Sequence, residues 1–313
     1  MKQEISLEEI LSYDPEKTYI GRGYLDDVYH LENFIFSFEE RPRISATLSF
    51  PHSFLGQTPS GFHFSAMNMQ VLLPYLCEEL TKAVLAGEQT SLSSFIPQGS
   101  QEKYTHYLTT PTAIKCEVEL QEQDQSGQYS FRYSIGTAEK ICFEGTFGAK
   151  VEYNQISALH SFPDQVEFQC RDRYELKKIW MDEQTLTLDA IMYNPHETLT
   201  PVQAHGAIAQ SMRVLYCQLF GLRRDEIMLA RAYQVNRTYH TPTKEHGDLA
   251  LQLLPSPEIT VTTRHGVRWA MTGCKYTFTE GYVSGTMQVA YPFDALHKEQ
   301  QGVLRQKCRV TYT

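Results

Sequence analysis

The sequence predicts an α+β fold built twice: a long central helix wrapped by an antiparallel sheet, then a second helix and sheet in the same order. Two apolar stretches of helical length, about 64–86 and about 201–220, stand in corresponding places of the chain's two halves. Each is preceded by a pair of short alternating segments and followed by several longer ones, the period-2 pattern of half-buried strands. A local echo joins the halves: Tyr-Leu-Thr-Thr-Pro-Thr (107–112) recurs as Tyr-His-Thr-Pro-Thr (239–243). The halves so implied are 1–158 and 159–313.

Taken in order, Ser6 with Glu9 three residues later is a capping-box pattern and predicts a short helix over 6–12. Gly21-Arg22-Gly23 predicts a loop. Residues 32–39 and 43–50 alternate as a strand pair around Arg41-Pro42. The first long helix is apolar on nearly every face, which requires that other structure wrap it. Pro74 removes one backbone donor inside it and predicts a bend near Gln70. The Ser/Gln-rich run 87–100 predicts a flexible loop. Strands are expected over 104–108, 113–121, 128–135 and 140–153, with a turn at Asp124-Gln125-Ser126-Gly127. Residues 154–175 read as irregular. The second half then repeats the order: strands at 174–180 and 185–192, a Pro/His/Thr loop at 194–198, and the helix stopping at Gly221, a C-terminal cap residue. Strands 228–240, 248–254, 258–264, 267–278 and 282–291 complete it.

Composition removes several function classes. With 28 Lys and Arg against 37 Asp and Glu, the net charge is −9, and no basic face for general nucleic-acid binding emerges. No apolar run approaches the roughly 18–20 residues of a membrane span, and the acidic N-terminus lacks a signal-peptide core. Seven scattered cysteines without a C-x-x-C pair predict reduced, buried thiols rather than disulfides or zinc ligands. A soluble cytoplasmic protein without a metal is expected. Nucleophile-elbow, P-loop and H-E-x-x-H motifs are absent.

The stretch His52 to Gln70, H-S-F-L-G-Q-T-P-S-G-F-H-F-S-A-M-N-M-Q, carries the chemistry. It resembles the H-F-P-G-x-P-x-x-P-G-V-L-x-x-E-A-M-A-Q motif of hotdog-fold hydroxyacyl-carrier-protein dehydratases. The spacing from His to Gln is eighteen in both, and Gly61 falls on the second glycine. Gly206-Ala-Ile-Ala-Gln210 resembles the end of the same motif, with Met192 where a second histidine would stand. One half with the histidine and one without is similar to the double-hotdog dehydratase domains of polyketide synthases. The resemblance therefore implies a double hotdog. The family's acid, however, falls on Ala66 and Gly206, neither of which is ionisable. A closer similarity is to the avirulence D (syringolide biosynthesis) family, carried by Ile10-Leu-Ser-Tyr-Asp-Pro-Glu-Lys17 and Gly21-Arg-Gly-Tyr24.

That resemblance implies condensation of a 3-ketoacyl chain with a small sugar-like alcohol to a lactone-type signal. A dehydratase or thioesterase of the same fold, or a non-catalytic acyl-binding module, are the alternatives. No tightly bound cofactor is implied, only coenzyme A or the phosphopantetheine of an acyl carrier protein as acyl carrier, and a homodimer is compatible. His52 is the candidate base, because an imidazole is half available near neutral pH. His205, beside the vacant acid position, is either a core histidine or a second catalytic group. Helix-end N–H groups near Gly61 are placed to hold an oxyanion. Gln70 and Gln210, read as matching residues of the two helices, anchor loops or the interface. Met67, Val71, Ile208 and Met212 line an acyl tunnel. In the basic run Arg213, Arg223, Arg224, Arg231, Arg237 and Lys244, Arg213 and Arg231 are the candidates for pantetheine phosphate, against a merely solvated face.

Overall fold

A computed structural model describes residues 2–6, 23–25, 27–49, 64–106, 113–155, 164–182, 184–195, 199–222, 231–240, 247–264, 266–278 and 282–313. The chain divides into two compact units, one of residues Gly23–Asp172 and one of Arg173–Thr313 together with Met1–Arg22.

The unit Gly23–Asp172 contains β2 (Val28–Ser37), β3 (Arg43–Ser49), α1 (Ala66–Gly87), β4 (Thr90–Tyr104), β5 (Ile114–Gln123), β6 (Gln128–Gly136), β7 (Ile141–Gln155) and β8 (Gln165–Gln169). Its sheet runs β4-β7-β6-β5-β3-β2-β8, every neighbouring pair antiparallel. The alternation read in the sequence fixes which face turns inward: on β6, Tyr129, Phe131, Tyr133 and Ile135 are buried while the residues between them are not. The tight turn before β6 forms because the Asp124 carboxylate accepts from Ser126 N, Ser126 Oγ and Gln128 N at 2.9, 2.7 and 2.8 Å. Gly127 comes next with φ +81°, a conformation open to glycine at little cost.

The other unit contains β1 (Lys2–Ile5), β9 (Glu175–Asp182), β10 (Thr187–Asn194), α2 (Pro201–Phe220), β11 (Arg231–Tyr239), β12 (Gly247–Arg264), β13 (Val267–Phe278), β14 (Val283–Pro292), α3 (Lys298–Lys307) and β15 (Arg309–Tyr312). Its sheet runs β11-β14-β13-β12-β10-β9-β1, with β15 added parallel to β12. Element for element this is the order of the first unit. A helix of 20 or 22 residues on an antiparallel sheet, with the strand after the helix at one edge, is the hotdog-type arrangement.

Each helix packs an apolar face into the core of its unit. Met67, Met69, Leu72, Leu73, Leu76, Leu80 and Leu85 of α1 are buried, as are Ile208, Met212, Val214, Leu215, Leu219 and Phe220 of α2. Each such side chain contributes ~1.5–3 kcal/mol relative to exposure. Gly221 takes φ +62° and ends α2, with Leu222 N bonded back to Cys217 O. All seven cysteines are free and buried.

Several expectations are corrected. Residues 90–100, expected in a loop, belong to the 15-residue strand β4. Its Ser and Gln residues have low strand propensity, but pairing along β7 from Thr90↔Gln155 to Tyr104↔Phe143 overrides that preference. The pieces 248–254 and 258–264 are one strand, β12, whose pairing with β13 shifts register between Pro255 and Ile259. Strands β1, β8 and β15 and helix α3 carry a periodicity too weak to predict them. Residues 7–12 of the helix expected over 6–12, Gly21 and Arg22 of the loop expected at 21–23, and most of the Thr-Pro-Thr echo lie outside the described residues, while Gly23 opens a short 3-10 helix, Gly23–Leu25. Among the described residues, no helix is long and apolar enough to cross a membrane.

Candidate functional site

Both helices start the same way, and that start sets the register of every side chain along them. Ser65 caps α1: its Oγ accepts from Asn68 N at 3.3 Å, while Asn68 Oδ1 accepts from Ser65 N at 2.8 Å. Thr200 caps α2 through Gln203 in the same reciprocal pattern, at 3.3 and 3.0 Å, with Pro201 at the first helical position. The free end of each capping amide ties the helix to the segment before it. Asn68 Nδ2 donates to Asp27 Oδ2 at 3.0 Å and to Tyr29 OH at 2.8 Å; Gln203 Nε2 donates to Arg173 O at 2.6 Å.

Counted from these caps, Gln70 of α1 matches His205 of α2. Residue identity in the sequence pairs Gln70 with Gln210 instead. The caps fix the helical register, and they set Gln210 five residues further along. The correspondence extends to the strand after each helix. Gln70 Nε2 donates to Glu102 Oε2 at 3.0 Å, and an Arg237 Nη donates to His205 Nδ1; the partners are 32 residues apart in both pairs. A tyrosine stands two residues on in each strand, Tyr104 and Tyr239.

In the unit Gly23–Asp172 the pair grows into a network. Glu102 also accepts from Ser100 Oγ at 2.7 Å and from Tyr104 OH. Glu102 is 2% exposed, so its carboxyl oxygens are satisfied by these hydrogen bonds rather than by bulk water. In the other unit the same place holds His205 and Arg237, 4% and 3% exposed. Burial, then the charges of Arg237 and Arg213, push the His205 imidazole well below its ordinary value, so it is neutral. The strand position that holds glutamate in one unit therefore holds arginine in the other.

A Cβ on Gly206 would lie 2.7 Å from the Tyr174 hydroxyl oxygen and closer still to the ring carbons. The Tyr174 ring fills the space that a carboxylate would need. Ala66 is the first residue of α1.

Of the remaining candidates, Met67, Ile208, Gln70, Gln210 and Met212 are buried, and Val71 and Arg213 are half-buried. Arg231 opens β11. His52 and Gly61 lie outside the described residues. Ser100, Glu102 and Tyr104 escape the sequence-based expectation because a loop was expected as far as residue 100. The signal was present, since polar residues at i, i+2 and i+4 share one face of a strand. Arg237 stands out in the sequence only as one member of the basic run.

No family model matches this sequence, and no curated protein matches it. Solved structures of hotdog proteins are similar to it in outline, several of them thioesterases by name. The tesB protein of Mycobacterium avium subspecies paratuberculosis is 9% identical with a TM-score of 0.45, over 83% of this chain and 95% of that one. A putative oleoyl thioesterase from Lactobacillus plantarum is 8% identical with a TM-score of 0.47, over 80% and 97%. A protein of unknown function with a hot dog fold from Alicyclobacillus acidocaldarius is 11% identical with a TM-score of 0.37, over 82% and 95%. The hotdog-type assignment stands on each unit's own helix and strand order.

Proposed function

We propose that this chain is a double-hotdog enzyme acting on fatty acyl thioesters carried by coenzyme A or by acyl-carrier-protein phosphopantetheine, and that its reaction is hydrolysis. The observation that carries this is Glu102, a buried side chain held by Gln70 of α1, Ser100 and Tyr104. An ion pair or carboxylate in a core is often no more stable than an apolar replacement of similar volume, so its presence favours chemistry. In this reading Glu102 takes a proton from water, and the hydroxide adds to the acyl carbon. The tetrahedral intermediate then collapses with loss of the thiolate, which takes the proton back. Met67 and Val71 in one unit, and Ile208 and Met212 in the other, are the candidate acyl-contacting residues. Arg213 and Arg231 are the candidates for pantetheine phosphate, and His52 and Gly61 the loop candidates for a base and an oxyanion contact.

The test is release of free thiol and free acid from a chain-length series of acyl-CoA and acyl-pantetheine substrates. Glu102→Gln is expected to lower kcat by about 10²-fold or more while KM changes little. If the unmodified protein released no thiol from any of them, the hydrolase reading would be lost. The avirulence-D-like opening, Ile10–Lys17 and Gly21–Tyr24, favours a second reading in which a sugar-like hydroxyl replaces water. An acyl ester formed from a 3-ketoacyl thioester and a triose would select it. Enoyl product from a 3-hydroxyacyl thioester would instead mark a dehydratase.

A further inference from the structure

We infer that His205 is a fixed hydrogen-bond donor, its Nε2–H presented to the carbonyl oxygen of an acyl ligand and its tautomer set by Arg237. The geometry leaves one choice. A guanidinium has five N–H donors and no acceptor. Arg237 therefore donates to His205 Nδ1, and Nδ1 must carry a lone pair. In the neutral ring the proton then sits on Nε2. His205 is 4% exposed, yet among the described residues Nε2 meets no hydrogen-bond partner. An N–H donor not spent on the protein is available to a ligand oxygen.

The charged groups acting on the ring are Arg237 from β11 and Arg213 from α2 itself. Both oppose protonation, and both favour negative charge developing on whatever the imidazole touches. His205 therefore cannot serve as a general base: one nitrogen is occupied and the other already holds the proton. The matched residue in the other unit has the reverse polarity. Gln70 donates to its strand partner Glu102, whereas His205 accepts from its strand partner Arg237.

This inference rests on the acyl-thioester reading for the identity of the ligand, and the test separates the two. The full chain, labelled with ¹⁵N-histidine, is followed from pH 5 to 9. His205 is expected to stay neutral, with a pyrrole-type Nε2 and a pyridine-type Nδ1. A protonated Nδ1 overturns the inference and leaves the enzyme reading intact. Next, binding of a hydrolysis-resistant acyl-CoA ketone analogue is measured. His205→Ala is expected to weaken it by about 3- to 10-fold, the loss of one hydrogen bond. His205→Gln, which can accept from Arg237 and still offer an N–H, stays within about threefold of the parent. The bound analogue also shifts the Nε2–H resonance. Equal binding by parent and His205→Ala, with matching circular dichroism, defeats the inference alone. No binding by the parent defeats it together with the acyl-thioester reading.

Discussion

Removal of the Glu102 carboxylate tests whether the polar network anchors its strand to the helix. In Glu102→Ala three buried donors, Gln70 Nε2, Ser100 Oγ and Tyr104 OH, lose their acceptor. Each costs ~1–3 kcal/mol if left unmade. Relief of the carboxylate's own desolvation, several kcal/mol, works in the opposite direction. Truncation of one member of a buried charged network nets ~3–5 kcal/mol of destabilisation, and that is the expected value here. Glu102→Gln keeps an accepting oxygen and can donate to the Tyr104 hydroxyl, so it should cost only ~1–2 kcal/mol, the difference between charge-assisted and neutral bonds. Urea unfolding of the full chain reads both, with the slope m required to match the parent. A Glu102→Ala protein within ~1 kcal/mol of the parent at equal m would refute the anchoring account, because no relaxation of three buried donors is that cheap.

Three further outcomes concern single sites. At Gly285 a Cβ would lie 2.8 Å from Tyr276 Cζ and closer to the Asn236 carbonyl, across a hydroxyl bond of 2.7 Å between them. Gly285→Ala should cost ~2–4 kcal/mol, combining overpacking with a broken bond, and Tyr276→Phe added to it should recover little because the carbonyl clash remains; a neutral Gly285→Ala in thermal unfolding would contradict this. His205 is held neutral in the fold and has an ordinary value of 6.5. Below that pH the unfolded chain binds a proton the native state refuses, so stability is present above 6.5 and falls as pH drops. The slope approaches ~1.4 kcal/mol per pH unit toward pH 5, and His205→Gln should flatten it; an unchanged slope would remove the histidine from acid sensitivity. The seven buried thiols, with burial pushing Cys170 and Cys274 up to about 12, should react with a disulfide reagent only on unfolding. Rapid modification of any one in the native protein would show an accessible thiol.

How far the sequence reached depended on the range of the interaction involved. Helix α2 was legible, because its apolar run and its stop at Gly221 are local signals. Strands with clean alternation, such as β6 and β13, were equally legible. Strand β4 was not. Its Ser/Gln-rich first half reads as loop, and only its long pairing with β7 makes it a strand. The candidate site failed for the same reason. A carboxylate at 102 becomes a buried centre only when the strand exists and the cap at Ser65 turns Gln70 toward it.

By itself the sequence determined the duplicated α+β order, the two central helices and the acidic, thiol-buried character of the chain. These come from hydrophobic period and turn chemistry, which are written locally. Tertiary structure alone decided that the Tyr174 ring packs against Gly206, and that Glu102 and Arg237 are the buried partners of Gln70 and His205. Each depends on residues more than thirty apart being brought within hydrogen-bond or van der Waals distance, which no local pattern encodes.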